Sequence, residues 1–341
     1  MSNFLKFSIR TTQYYPKKWV LIAILLFIPV IVFLKPAYGQ KSMNWTSFKW
    51  GRDTVVFNGK KALIKRSAIF LPVTFLGDAR RYYLQLDLSS TANILFYELP
   101  MSVDTSRINS KPLTSNSEIK LYNINCPIQG KLGISDFKSD SSSCVLMRFK
   151  NPPSSGYYLP WGKTIIGLIG LAFFKNRELM IDFPRQQFTL ASKETILPLT
   201  YRDSSLYVHL KIANNRLSVS ATLGDTNFSN FFYESGNSVY DVVVSKAIWM
   251  KLTGRKGDEK DNIRLSIDSW GNKTEAIGAP IRESLKIGRW QFAAPVLYFL
   301  PEYPNLRTAY SCDGFFGNSV FFGKTIIIDI PRGRLGIMNE M

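Results

Sequence analysis

Histidine and cysteine are nearly missing: the 341 residues include one histidine, His209, and three cysteines, Cys126, Cys144 and Cys312. With no C-x-x-C pair and so few soft ligands, a structural zinc site is excluded, and no other metal and no cofactor is implied. Acidic residues are scarce too, 25 against 43 Lys and Arg, which leaves a net charge of +18. Such an excess suits nucleic acid, an anionic membrane face or an acidic polymer. The chain has no recognition helix, no zinc-finger spacing and no aromatic-basic RNA signature, so no nucleic-acid partner is expected and the charge reads as a solvated basic surface. Six of the eighteen charges are local, because residues 1–41 hold Lys6, Arg10, Lys17, Lys18, Lys35 and Lys41 and no acid.

A composition of 45% hydrophobic, 14% aromatic and 20% charged residues is that of a folded globular chain. The length suits two lobes rather than one ordinary domain. Cys126 and Cys144 either close a disulfide in an oxidising compartment or stay buried thiols. The sequons at Asn44, Asn227 and Asn272 matter only in a glycosylating secretory pathway.

After a basic leader, residues 1–18, comes an unbroken apolar run from Trp19 to Leu34, bounded by Lys17-Lys18 and Lys35. Residues 19–35 are read as a transmembrane or signal segment. As a helix the run rises about 24 Å, short of a hydrocarbon core of roughly 30 Å unless the flanking lysines snorkel. The small residues around Ala37-Tyr38-Gly39 offer the alternative of a cleaved signal peptide and a secreted product. Either way positive charge ahead of the run keeps the N-terminus cytoplasmic and exports the remainder, to the periplasmic or extracellular side.

Internal self-similarity is the most informative feature. Gly167–Leu190, GLIGLAFFKNRELMIDFPRQQFTL, aligns without a gap on Gly314–Ile337, GFFGNSVFFGKTIIIDIPRGRLGI, at an offset of 147. The same offset carries Leu76-Gly77-Asp78 onto Leu223-Gly224-Asp225, and YLQLDLSS onto NFFYESGN with Asp87 falling on Glu234. Separated blocks sharing one register mean a duplicated unit, here placed at residues 45–192 and 193–341, with the junction around Ala191 to Pro198. Both copies read as β structure: runs at 68–75, 82–87, 179–183, 217–223 and 325–330 alternate with Gly, Asn, Pro and Ser breakers. Val244 to Leu252, ended by Gly254, is the best helical candidate, and Asn151 to Gly162 reads as loop.

These residues resemble the aspartic proteases of the pepsin and retropepsin type. In that family each lobe supplies an apolar strand ending in Asp-Thr/Ser-Gly and later an apolar-apolar-Gly strand that threads beneath the catalytic loop. Leu168-Ile169-Gly170 and Phe315-Phe316-Gly317 match the second element, each glycine 83 residues after Asp87 or Glu234. The resemblance implies an all-β, bilobal, double-barrel fold behind the N-terminal helix, with Asp87 and Glu234 as the catalytic pair and Gly170 and Gly317 supporting the loops. The loops depart from the family pattern. The first reads Asp87-Leu88-Ser89-Ser90, with Leu88 in place of Thr and Ser89 in place of Gly. The second reads Glu234-Ser235-Gly236-Asn237, its acid longer by one methylene.

Two carboxyls sharing one proton can activate a water when both are held tightly and symmetrically. A Glu for an Asp moves the oxygens by more than about 1 Å, Ser89 adds a Cβ where glycine would allow positive φ, and Leu88 cannot make the interlobe hydroxyl bond that braces the loops. Isolated acids at strand ends are usually solvated turn residues; only the repeat sets Asp87 and Glu234 apart. Asp182 and Asp329 are expected to fix turns beside proline, His209 to be an ordinary strand histidine, and Phe231-Phe232-Tyr233 and Phe315-Phe316 to be core. Three functions fit: a tethered, catalytically impaired homologue binding a peptide or protein in its interlobe cleft, an active endopeptidase working with Asp87/Glu234, and a structural envelope protein.

Overall fold

The computed structural model describes residues 43–339, except 76–77, 91, 97–113, 116–118, 124–131, 135–136, 139–143, 150–163, 193–194, 196–197, 214–215 and 270–271. The apolar run Trp19 to Leu34 and the loop expected at 151–162 lie outside the described residues, as do Cys126 and the side chain of Cys144. Among the described residues no helix is long and apolar enough to cross a membrane.

The architecture is all-β. Among the described residues there are three sheets, of ten, twelve and six strands, and three short α-helices, Leu171–Phe174, Lys246–Thr253 and Leu306–Tyr310. The helix expected near Val244 starts at Lys246 because the Ser245 hydroxyl accepts the Ile248 N–H, and it stops where Gly254 turns left-handed at φ 68°.

The two sequence copies build matching halves. In the ten-stranded sheet Ile165–Ile169 runs parallel to Asp78–Leu86 with Gly167 opposite Leu84. In the twelve-stranded sheet Gly314–Phe316 runs parallel to Thr226–Tyr233 with Gly314 opposite Phe231, the same pair displaced by 147. The six-stranded sheet joins the halves. Its central strands, Glu178–Asp182 and Lys324–Asp329, are antiparallel with Met180 opposite Ile327 and Glu178 opposite Asp329. Since 180 and 327 are themselves equivalent, this register maps onto itself when the copies are exchanged, a local twofold relation. Asp182 and Asp329 fix equivalent turns, accepting the N–H groups of Arg185 and Arg332 at 3.0 Å each.

One exchange breaks the division by sequence: the hairpin formed by Asp53–Phe57 and Lys60–Ile64 pairs with Ile263–Ser269 of the second copy, Leu265 opposite Phe57. The main core is a single cluster drawing on both copies, with Leu84, Leu86, Ile169, Phe174, Phe231, Tyr233, Phe316 and Ile328 buried in it.

The apolar-apolar-Gly strands are threaded tightly. A Cβ on Gly170 would stand 2.3 Å from the Ala92 carbonyl oxygen, and one on Gly317 would stand 2.6 Å from that of Tyr240 and 2.7 Å from that of Asn237. Backbone oxygens cannot give way as a flexible side chain can. Gly317→Ala is therefore expected to cost about 3 kcal/mol, read from the denaturant midpoint, whereas Gly323→Ala, where no atom lies within 4 Å of the new carbon, should change stability by less than about 0.5 kcal/mol.

Candidate functional site

Asp87 follows Asp78–Leu86, and Glu234 follows Thr226–Tyr233. Both loops are hung in the same way. The Asp87 N–H donates to the Ile169 carbonyl at 3.0 Å and the Glu234 N–H to that of Phe316 at 2.9 Å. The loops close through Ser90 N–H to Asp87 carbonyl at 3.1 Å and Asn237 N–H to Glu234 carbonyl at 3.2 Å. Leu171 and Asn318, just after the two supporting glycines, donate back to the carbonyls of Ser90 and Asn237 at 2.8 and 2.9 Å. The sequence-derived loop residues Leu88, Ser89, Ser90, Ser235, Gly236 and Asn237, with Gly170 and Gly317, thus occupy equivalent places around one site.

The brace between the loops is half made. The buried Ser235 hydroxyl accepts the Leu88 N–H across the copies at 2.7 Å, while Leu88 has no hydroxyl to return the bond. A second tie comes from Gln85, whose Nε2 donates to the Gly236 carbonyl at 2.9 Å. The second loop is further held by Asn318, fully buried, which donates to the Ser235 carbonyl at 2.7 Å and the Ser238 hydroxyl at 2.9 Å and accepts the Tyr233 hydroxyl at 2.6 Å. Sequence reasoning missed Gln85 and Asn318. The one signal for Gln85 is an amide inside the apolar run YYLQL; Asn318 beside Gly317 gives none.

The two acids converge on one hydroxyl. Ser89 Oγ lies 2.6 Å from Asp87 Oδ1 and 3.0 Å from Glu234 Oε1, and the Ser89 N–H donates to the same Asp87 oxygen at 3.0 Å. A serine has one hydroxyl proton and can donate it to one acceptor. The Asp87 contact is the shorter and takes that proton, so the Glu234 contact is satisfied when Glu234 is itself protonated. The electrostatics agree: burial first, and the charge of Asp87 second, push the Glu234 carboxyl up to about 8, against smaller opposing contributions from the Ser89 hydrogen bond, the Arg216 charge and the Gly236 N–H. Arg216 is set at the site by stacking on Phe232 and Tyr310, 5.5 and 5.6 Å from the ring centres.

Ser89 and Gly236 are equivalent under the 147 offset, and here the halves differ most. A Cβ at Gly236 would stand 3.0 Å from Asp87 Cγ and 3.1 Å from Glu234 Oε1, so glycine keeps that side of the pair clear. On the other side the Ser89 side chain fills the space. Ser89 does not use the positive φ that a glycine there would permit: among the described residues the non-glycine residues at positive φ are Asn58, Gln186 and Ser311. Serine fits here without strain, and what it changes is the occupancy of the site. Among the described residues no group of three or more His, Cys, Asp or Glu side chains could hold a metal.

No family model matches the chain, and no curated protein is similar to it in sequence. Solved structures similar to it include an aspartic proteinase from Irpex lacteus, with a TM-score of 0.49, 10% identity and coverage of 87% of this chain and 97% of that one. Conglutin gamma, a unique basic 7S globulin from lupine seeds, has a TM-score of 0.44, 12% identity and coverage of 88% and 96%. Basic 7S globulin from soybean has a TM-score of 0.43, 10% identity and coverage of 88% and 95%. Likeness at this level carries no chemistry to the site, which stands on its own distances, and the chain's resemblance to pepsin-like aspartic proteases is one of all-β, duplicated architecture.

Proposed function

We propose that this is an exported, membrane-tethered, aspartic-protease-like protein that binds an extended peptide or a protein segment in the cleft between its halves and hydrolyses it poorly or not at all. The observation that carries the reading is the Ser89 hydroxyl, seated between Asp87 and Glu234 at 2.6 and 3.0 Å. For an acid pair to cut an amide, a water must lie between the carboxyls, losing its proton to one while the other protonates the leaving group. Ser89 holds that place with an oxygen bonded to its own chain. The extra methylene of Glu234 and the half-made brace at Leu88 and Ser235 act in the same direction. Tethering and export rest on the apolar run Trp19 to Leu34 with its lysines.

The retained proton on Glu234 favours a second reading, an endopeptidase that turns over when Ser89 rotates aside and water enters. Incubating the full-length protein with an unfolded protein at acidic pH separates the two. Binding is expected, with peptide release no faster than from Asp87→Asn; vigorous release that Asp87→Asn abolishes would establish the peptidase.

A further inference from the structure

The hairpin of Asp53–Phe57 and Lys60–Ile64 is built unlike the rest of the surface. Of the five large hydrophobic side chains left exposed among the described residues, three lie on it: Val56 at 39%, Phe57 at 39% and Leu63 at 57%. Its pairs are Thr54 with Leu63, Val56 with Lys61 and Phe57 with Lys60. One face therefore presents Thr54, Val56, Lys61 and Leu63 outward, while Val55, Ala62 and Ile64 pack into the core beneath. The tip is a tight turn with Asn58 at φ 49° and Gly59 at φ 76°, the conformation Asn-Gly adopts most easily. The tip is tied to the neighbouring strand: the Asn58 N–H donates to the Arg264 carbonyl at 2.8 Å, and the Asn58 side chain accepts the Arg264 N–H at 2.7 Å.

The hairpin's surroundings are basic. Residues 35–66 contain eight Lys and Arg against the single acid Asp53, and Lys49, Arg52, Lys60, Lys61, Lys65 and Arg66 are exposed. Among the described residues Lys60–Ile64 is also the last strand of its sheet. Two lysines on an edge strand discourage addition of another strand. They do not discourage a layer of anionic headgroups, into which apolar side chains can dip while ammonium groups stay at the phosphates. Eleven residues, 35–45, separate the apolar run from Thr46–Ser47, which is already paired into the folded part, a tether reaching at most about 40 Å.

From these observations the geometry points to the Asp53–Ile64 hairpin as a lipid-contacting surface that seats the folded part on anionic phospholipid, with Val56 and Leu63 entering the interface and Lys61, with Lys60 at the tip, meeting the headgroups. The inference rests on the membrane-tether reading. Full-length protein is to be incorporated into nanodiscs of phosphatidylcholine alone and of phosphatidylcholine mixed with phosphatidylglycerol, and amide hydrogen exchange followed along the chain. Exchange in residues 60–64 is expected to slow by about tenfold in the mixed discs relative to the neutral ones, since each surface lysine adds favourable energy near anionic lipid. The slowing should vanish in Lys60→Ala/Lys61→Ala and at high salt, while exchange in Lys324–Asp329, the folding control, stays unchanged. A chain that enters both discs with equal exchange in the hairpin overturns the lipid contact alone. Slowing that appears only when another protein is added also overturns it, in favour of a protein partner. A chain that does not enter discs at all overturns the tether and the contact together.

Discussion

Ser89→Gly combined with Glu234→Asp is expected to raise cleavage of an unfolded protein at acidic pH by at least about a hundredfold over the unmodified chain. The first change removes the oxygen that lies 2.6 Å from Asp87 Oδ1 and leaves on that side what Gly236 already leaves on the other, a glycine beside the pair. The second withdraws the carboxyl by one methylene, towards the symmetric separation at which two acids share a proton across a water. Each change alone should fall short: without Ser89→Gly the water has no room, and without Glu234→Asp the water sits unevenly between the carboxyls. Adding Leu88→Thr supplies the missing hydroxyl of the brace, to match Ser235, which accepts the Leu88 N–H at 2.7 Å. Acid-soluble peptide release measures the effect, and Asp87→Asn in the combined variant should bring it back to background. A combined variant no better than its Asp87→Asn derivative would show that occupancy by Ser89 is not what holds the site silent.

The duplication was legible because both copies must hang an acid-bearing loop from the same neighbours, Asp87 from Ile169 and Glu234 from Phe316. The spacing from acid to glycine is 83 in each half, so one offset aligns the acid-bearing loop and the strand it hangs from together. Convergence of the two acids followed from the register. What could not be read is what side chains do once the loops meet. Ser89 differs from Gly236 by a hydroxymethyl group, but only its rotamer places the oxygen between the carboxyls. Gln85 reaches Gly236 from 151 positions away, and no local pattern marks such a contact. The Asp53–Ile64 hairpin was equally hidden: its Asn-Gly turn is a strong local signal, yet pairing with Ile263–Ser269 of the other copy depends on which sheet offers an edge.

The pH dependence of stability should carry the signature of Glu234. Its carboxyl is pushed up to about 8 by burial and by Asp87, while in the unfolded chain it titrates near the ordinary glutamate value of about 4.3. Between those limits the folded state holds a proton that the unfolded state has released. Stability from this group is therefore fully present below the unfolded value and is lost as pH rises through the window. The loss is at most about 1.4 kcal/mol per pH unit. Glu234 is half-buried, so water screens part of the penalty, and roughly 2–3 kcal/mol over the window is expected, or about 5 °C in Tm. Glu178 is also raised, chiefly by burial and then by Asp329, and adds a slope of the same sign. The contrast between unmodified protein and Glu234→Gln isolates the share of Glu234, because the amide keeps the size and loses the titration. The acids held low act elsewhere: Glu259, lowered to about 2 by backbone N–H groups of Lys256 and Glu259 among others, and Asp313, lowered by the N–H groups of Asn230 and Ser229 and by Arg307 against its burial, withdraw stability as pH falls below the carboxylate range. Melting temperatures taken across the window should therefore decline with rising pH in the unmodified protein and decline less in Glu234→Gln. Equal slopes in the two would mean that Glu234 titrates as an ordinary surface acid, and the protonated Glu234 that completes the Ser89 contact would have to be abandoned.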